Sequence, residues 1–128
     1  MKVGIYCNRE TKKFLSAQEK LLFSLSEQKI QYTLCDKVEE IDGFDVLVVL
    51  GGDGTILKTA IAAGEKGIKL LGINSGNLGF LTEFEGNQAN EAVKLLLGNG
   101  EIEDRSVLKV TVNGKIWYAL NDAVFQRC

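Results

Sequence analysis

Gly51-Gly52-Asp53-Gly54-Thr55 sets one carboxylate among three glycines, directly after the apolar run at residues 44–50. Glycines let a backbone approach phosphate oxygens, and a helix start offers amides and a partial positive charge. A carboxylate inside such a cradle repels phosphate. It suits instead a base that takes the proton of an attacking hydroxyl, or a direct or water-mediated partner of a metal. The competing reading is a tight strand-to-helix turn with Asp53 as its N-cap, and the pattern alone leaves the two balanced. Two other phosphate motifs fail. Gly52-Asp53-Gly54-Thr55-Ile56-Leu57 has leucine where the dinucleotide fingerprint needs its third glycine, and no P-loop sequence is present.

Asn74-Ser75-Gly76-Asn77-Leu78-Gly79-Phe80-Leu81-Thr82 also follows a strand-like run. Small and amide residues build a turn there, and Phe80 with Leu81 could wall a flat ligand. Taken alone, a loop with Phe80 in the core is the preferred reading. Asn121 and Asp122 could hydrogen-bond a ribose or base, though alone they are a polar break after a strand. Lys58, one helical turn beyond Gly54, faces an anion or is a surface lysine.

Composition narrows the chemistry further. Histidine is absent from the 128 residues, which removes histidine metal sites and imidazole-based triads. Cys7, Cys35 and Cys128 are odd in number and widely spaced, which excludes a disulfide framework and a Cys-x-x-Cys zinc site. Cys7 and Cys35 each close an apolar stretch and are expected as buried thiols. A net charge of −2 carries no nucleic-acid footprint. No apolar run has the length of a membrane span, and residues 1–5 lack a signal-peptide layout. A cytoplasmic protein, with neither nucleic acid nor membrane as partner, is expected.

The elements that must position these residues alternate. Strands are predicted at residues 2–7, 30–35, 44–50 and 69–73. Helices are predicted at residues 11–29, with Phe14, Leu15, Leu21, Leu22 and Leu25 inward, and at 55–63, with Leu57, Ala60 and Ile61 inward. Asn87 is expected to cap a third helix with Ala89, Ala92, Val93, Leu96 and Leu97 inward, stopped by Gly98-Asn99-Gly100. This alternation predicts an α/β fold, an open parallel sheet flanked by helices, over residues 1–100. Residues 107–112 and 115–120 then read as a hairpin closed by Asn113-Gly114. A lone hairpin is marginal in water, so residues 101–128 are expected to open an incomplete β-rich second domain.

In order and spacing, the three polar segments resemble the NAD kinase family. The first is shared with diacylglycerol and sphingosine kinases and in part with phosphofructokinases; the other two are more specific. The resemblance implies transfer of the terminal phosphoryl group of ATP, or of polyphosphate, to the 2′-hydroxyl of the adenosine ribose of NAD, giving NADP. It implies a requirement for Mg²⁺ or another divalent cation. Carried over by position, Asp53 would accept the proton of that hydroxyl, and Gly54 would bring its backbone to the dinucleotide. Leu57, Phe80 and Leu81 would line the dinucleotide pocket, Asn121 and Asp122 would hydrogen-bond it, and Lys58 would supply a basic contact. Gly52, Thr55 and Asn74 complete the expected binding set.

Family members continue into a β-sandwich domain of which this chain holds the first hairpin. The chain is therefore expected to be a poorly active N-terminal portion. A two-residue turn sets Val110 opposite Trp117 and Leu108 opposite Ala119; with Val112 they form an apolar face expected to drive homo-oligomerisation. Two other readings compete. A lipid kinase predicts a hydrophobic acceptor site and membrane attraction, against which stand the near-neutral charge and residues 74–82. A non-catalytic nucleotide-binding module predicts binding without turnover.

Overall fold

The computed structural model describes residues 1–7, 13–74, 84–85, 88–98 and 107–120. Five parallel strands, β1 (Val3–Cys7), β2 (Tyr32–Cys35), β3 (Val46–Leu50), β4 (Lys69–Asn74) and β5 (Phe84–Glu85), lie in the order β2-β1-β3-β4-β5. β1 and β3 are the most apolar runs and take inner places, where both faces of a strand are covered. The helices are α1 (Lys13–Glu27), α2 (Asp53–Glu65) and α3 (Ala89–Leu97).

Two buried layers cover the sheet. On one side α1 and α3 pack against Val3, Ile5, Val48, Leu50 and Ile73; on the other α2 and the short 3₁₀ turn Val38–Glu40 enclose Leu47, Val49, Ile56 and Ile68. A parallel crossover is right-handed, so the chain must reverse its winding to place helices on both faces. The reversal falls between β1 and β3. Ligands of open parallel sheets bind at the carboxyl ends of the strands at such a point. Cys7 pairs with Leu50 there, and Gly51 follows at once.

The expected elements are present, and the 3₁₀ turn and two-residue β5 add to them. Three helix faces need correction. Leu15 is exposed, because the buried line of α1 is Phe14, Ala17, Leu21, Ser24 and Leu25. Ser24 is tolerated there because its hydroxyl donates to Asn90 Oδ1 on α3. Leu57 is exposed and Ala60 and Ile61 are half-buried, because α2 buries Ile56, Thr59 and Ala63 instead. Leu97 is exposed at the end of α3, while Ala92 and Val93 are covered. Gln88 holds the capping position of α3; Asn87 lies outside the described residues.

α1 and α2 end alike. Lys29 and Gly67 each take positive φ, 56° and 67°, and the next amide reaches back across the last turn. These bonds run from Ile30 N–H to Leu25 O and from Ile68 N–H to Ala63 O, both at 2.9 Å. The paired bonds Lys29 N–H to Ser26 O and Gly67 N–H to Gly64 O complete a Schellman motif at each end.

β6 (Val107–Val112) and β7 (Lys115–Leu120) form a separate antiparallel pair. Asn113 (φ 50°) and Gly114 (φ 78°) make the expected two-residue turn, and the register sets Val110 opposite Trp117 and Leu108 opposite Ala119. β7 comes close to α2. The covering of that apolar face falls outside the described side chains.

Candidate active site

The glycine-rich segment is half strand-end and half helix. Gly51 leaves β3 and gives its N–H to Ile73 O at 3.0 Å, which ties the end of β3 to the end of β4. Gly52 is the capping residue of α2, and Asp53 stands inside the helix as its first residue. The structure thus corrects the alternative in which Asp53 itself is the cap, and α2 starts two residues earlier than predicted. The first intrahelical bond runs from Ile56 N–H to Gly52 O at 3.1 Å, so the amides of residues 53–55 precede the helical ladder. Their dipoles sum with the helix to favour negative charge in front of them.

The three glycines are not equivalent. A Cβ on Gly51 would lie 2.6 Å from Thr55 Cβ and 2.7 Å from its hydroxyl, so Gly51 is glycine because Thr55 lies over it. Among the described residues, a Cβ on Gly52 or Gly54 would meet nothing within 4 Å, and neither residue has positive φ. Packing against the described residues therefore demands no glycine at either position. These two residues set backbone without a side chain on both sides of Asp53, half-buried at Gly52 and exposed at Gly54.

Gly54, Leu57 and Lys58 are spaced i, i+3 and i+4 and all are exposed, so they share the outer face of α2. Asp53 and Thr55 are half-buried at its start. Asn74, also half-buried, ends β4, one residue past the Leu50–Ile73 pair, and so stands at the same sheet edge as Gly51. The structure thus groups Gly52, Asp53, Gly54, Thr55, Leu57, Lys58 and Asn74 around the start of α2. Phe80, Leu81, Asn121 and Asp122 lie outside the described residues. Thr59, whose buried hydroxyl bonds back into this turn, is not marked by the hydrophobic pattern, which discounts a polar residue on an apolar face; its i+4 spacing from Thr55 is the signal the sequence carries.

No group of three or more His, Cys, Asp or Glu side chains that could hold a metal occurs among the described residues. Cys7 and Cys35 are buried, as expected. Burial pushes the Cys35 thiol above its ordinary value, and the neighbouring Glu40 and Asp36 carboxylates push it further the same way.

Residues 5–102 match the ATP-NAD kinase N-terminal domain. An NAD kinase of Caldicellulosiruptor bescii is 31% identical, with 99% of this chain and 49% of that protein covered. This chain belongs to the NAD kinase family. An NAD kinase of Porphyromonas gingivalis is 40% identical over 82% of this chain and 38% of its own length. The chain spans about half the length of the first of these family members. Among solved structures, an NAD kinase from Archaeoglobus fulgidus in complex with ATP has a TM-score of 0.67 at 23% identity, covering 91% of this chain and 45% of that one. A de novo designed Rossmann 2x3 protein has a TM-score of 0.58 at 14% identity, covering 81% of this chain and 96% of that one. At these identities the likeness is one of fold, and a fold shared with a designed protein specifies no activity. The NAD kinase assignment rests on the sequence matches.

Proposed function

We propose that this chain is the nucleotide-binding portion of an NAD kinase, which moves the terminal phosphoryl group of ATP or polyphosphate onto the 2′-hydroxyl of the adenosine ribose of NAD. The observation that carries this reading is Asp53 at the first position of α2 between Gly52 and Gly54, where an added side chain would meet no described residue. Asp53 accepts the proton of the ribose hydroxyl. The oxygen attacks the terminal phosphorus, a new P–O bond forms, and the bond to the departing phosphate breaks to leave ADP. The helix start and Lys58 favour negative charge at the phosphates. Leu57, with Phe80 and Leu81, receives the dinucleotide, and Asn74, Asn121 and Asp122 hydrogen-bond it. Thr55 shapes the turn beneath.

A divalent cation fits this donor set in one way. Mg²⁺ is commonly held by one or two carboxylates together with substrate phosphates. Here Asp53 serves as the base, so the substrate phosphates would hold the cation, which would supply charge neutralisation at the transferred group. The reading further expects a cytoplasmic homo-oligomer whose activity as this chain alone is low. No helix among the described residues is long and apolar enough to cross a membrane.

The test is NADP formation from NAD, ATP and Mg²⁺ beside Asp53→Asn. Removing a general base lowers turnover by about 10²–10⁴-fold. NADP from the unsubstituted chain, reduced to that extent by Asp53→Asn, supports the reading. NAD binding without NADP in either chain favours a binding module. A folded chain that binds no NAD overturns the proposal.

A further inference from the structure

Thr59 is a polar side chain with no solvent exposure, on the same face of α2 as the apolar Ile56 and Ala63. Its hydroxyl donates to Thr55 O at 2.9 Å and lies 3.2 Å from Ile56 O. A threonine that bonds back to the carbonyl four residues earlier competes with the backbone donor for that oxygen and bends the helix there. Valine would fill nearly the same volume. It would leave the Thr55 carbonyl with its helical backbone donor, so no buried group would be orphaned. Stability alone therefore gives no reason for the hydroxyl.

The carbonyl that Thr59 holds belongs to the residue that covers Gly51, and Gly51 is tied in turn to Ile73. Thr59, Thr55, Gly51 and Ile73 form one series from the body of α2 to the edge of the sheet. Asp53 and Gly54 are carried on the turn that this series pins. We propose that Thr59 is a positioning residue, which fixes the first turn of α2 through the Thr55 carbonyl and so sets the direction of the Asp53 carboxylate. Its relevance to ligand binding rests on the NAD kinase reading; its effect on the turn does not.

The experiment compares Thr59→Val and Thr59→Ser in the full chain by thermal melting, by amide NMR shifts without ligand, and by titration with NAD. Thr59→Val is expected to melt no lower than the unsubstituted chain. Its amide resonances should move at residues 53–56 and hold at residues 61–65, and its affinity for NAD should fall roughly tenfold, well inside the loss that a misplaced group can cause. Thr59→Ser, which keeps the hydroxyl, should restore both the resonances and the affinity. Unmoved resonances at residues 53–56 in Thr59→Val overturn the proposal, as does a Thr59→Ser chain that shifts as far as valine. A Thr59→Val chain that fails to fold also overturns it, because the hydroxyl then holds the fold and not the turn. If the unsubstituted chain binds no NAD, the kinase reading fails, while the amide shifts still decide the role of Thr59.

Discussion

A carboxylate at the first position of a helix is stabilised by the helix dipole by about 0.3–1 kcal/mol, so Asp53→Asn should leave folding nearly intact while it removes the base. The flanking glycines should respond in opposite senses. Gly54→Ala places a methyl on a helix where no described residue lies within 4 Å, and alanine is favoured in a helix by about 1 kcal/mol. Its denaturation midpoint should rise, and on the proposed reading NAD binding should be lost, because the methyl would stand where that reading brings the ligand's phosphates. Gly51→Ala should instead lose about 1–3 kcal/mol in a urea melt, since its methyl is driven into Thr55. The sequence displays the three glycines and the acid, and it marks the segment as a candidate site. It does not say which glycine faces its own chain, because that depends on where α2 begins and on which side Thr55 lies. Cys35 offers a test by pH. Its folded thiol titrates above the unfolded value of about 8.5, because burial and the Glu40 and Asp36 charges oppose the thiolate. The unfolded chain therefore releases that proton first, and stability should fall as pH rises from the unfolded value toward the folded one. Below the unfolded value Cys35 adds no pH dependence. A Cys35→Ala chain should lose this alkaline slope.

Among the helices, the ends and the phases tell different stories. α1 and α2 close with the same bonds, but α2 uses Gly67 at the left-handed position and α1 uses Lys29. A residue with a side chain is strained there by roughly 1 kcal/mol. Lys29→Gly should therefore stabilise the protein by up to that amount, read as a higher urea midpoint with unchanged slope. Element type and order were legible throughout, because apolar runs of strand length alternate with stretches of helical spacing. The phases of the helices were less so. The apolar pattern places Leu57 and Leu15 inward, yet Thr59 and Ser24 take the buried places. Each does so by satisfying its hydroxyl, Thr59 on its own helix and Ser24 on Asn90 of a neighbour. A pattern that counts only apolar residues misses a polar group whose partner is supplied by the fold. The two strand residues of β5 were too few to leave a periodic signal.

For the whole molecule, the order β2-β1-β3-β4-β5 places the reversal of winding between β1 and β3 and puts the glycine-rich turn beside it. The parallel sheet followed from the alternation of elements; the strand order did not, because which side of β1 each crossover takes is settled by packing on both faces. The hairpin was legible in full because Asn113-Gly114 fixes both turn and register. Its apolar face, with Val110, Trp117, Leu108 and Ala119 in register, should cause the chain to self-associate, seen as a sedimentation mass that climbs with concentration; a mass that stays monomeric counts against it. The bond from Gly51 N–H to Ile73 O also bears on how the molecule is born. A ribosome delivers the glycine segment before it delivers the strand that anchors it. A nascent chain that has not yet released β4 carries the motif but not its tether. On the proposed reading, a nucleotide met at that moment would find the turn untethered, and would stabilise the finished sheet without seeding it.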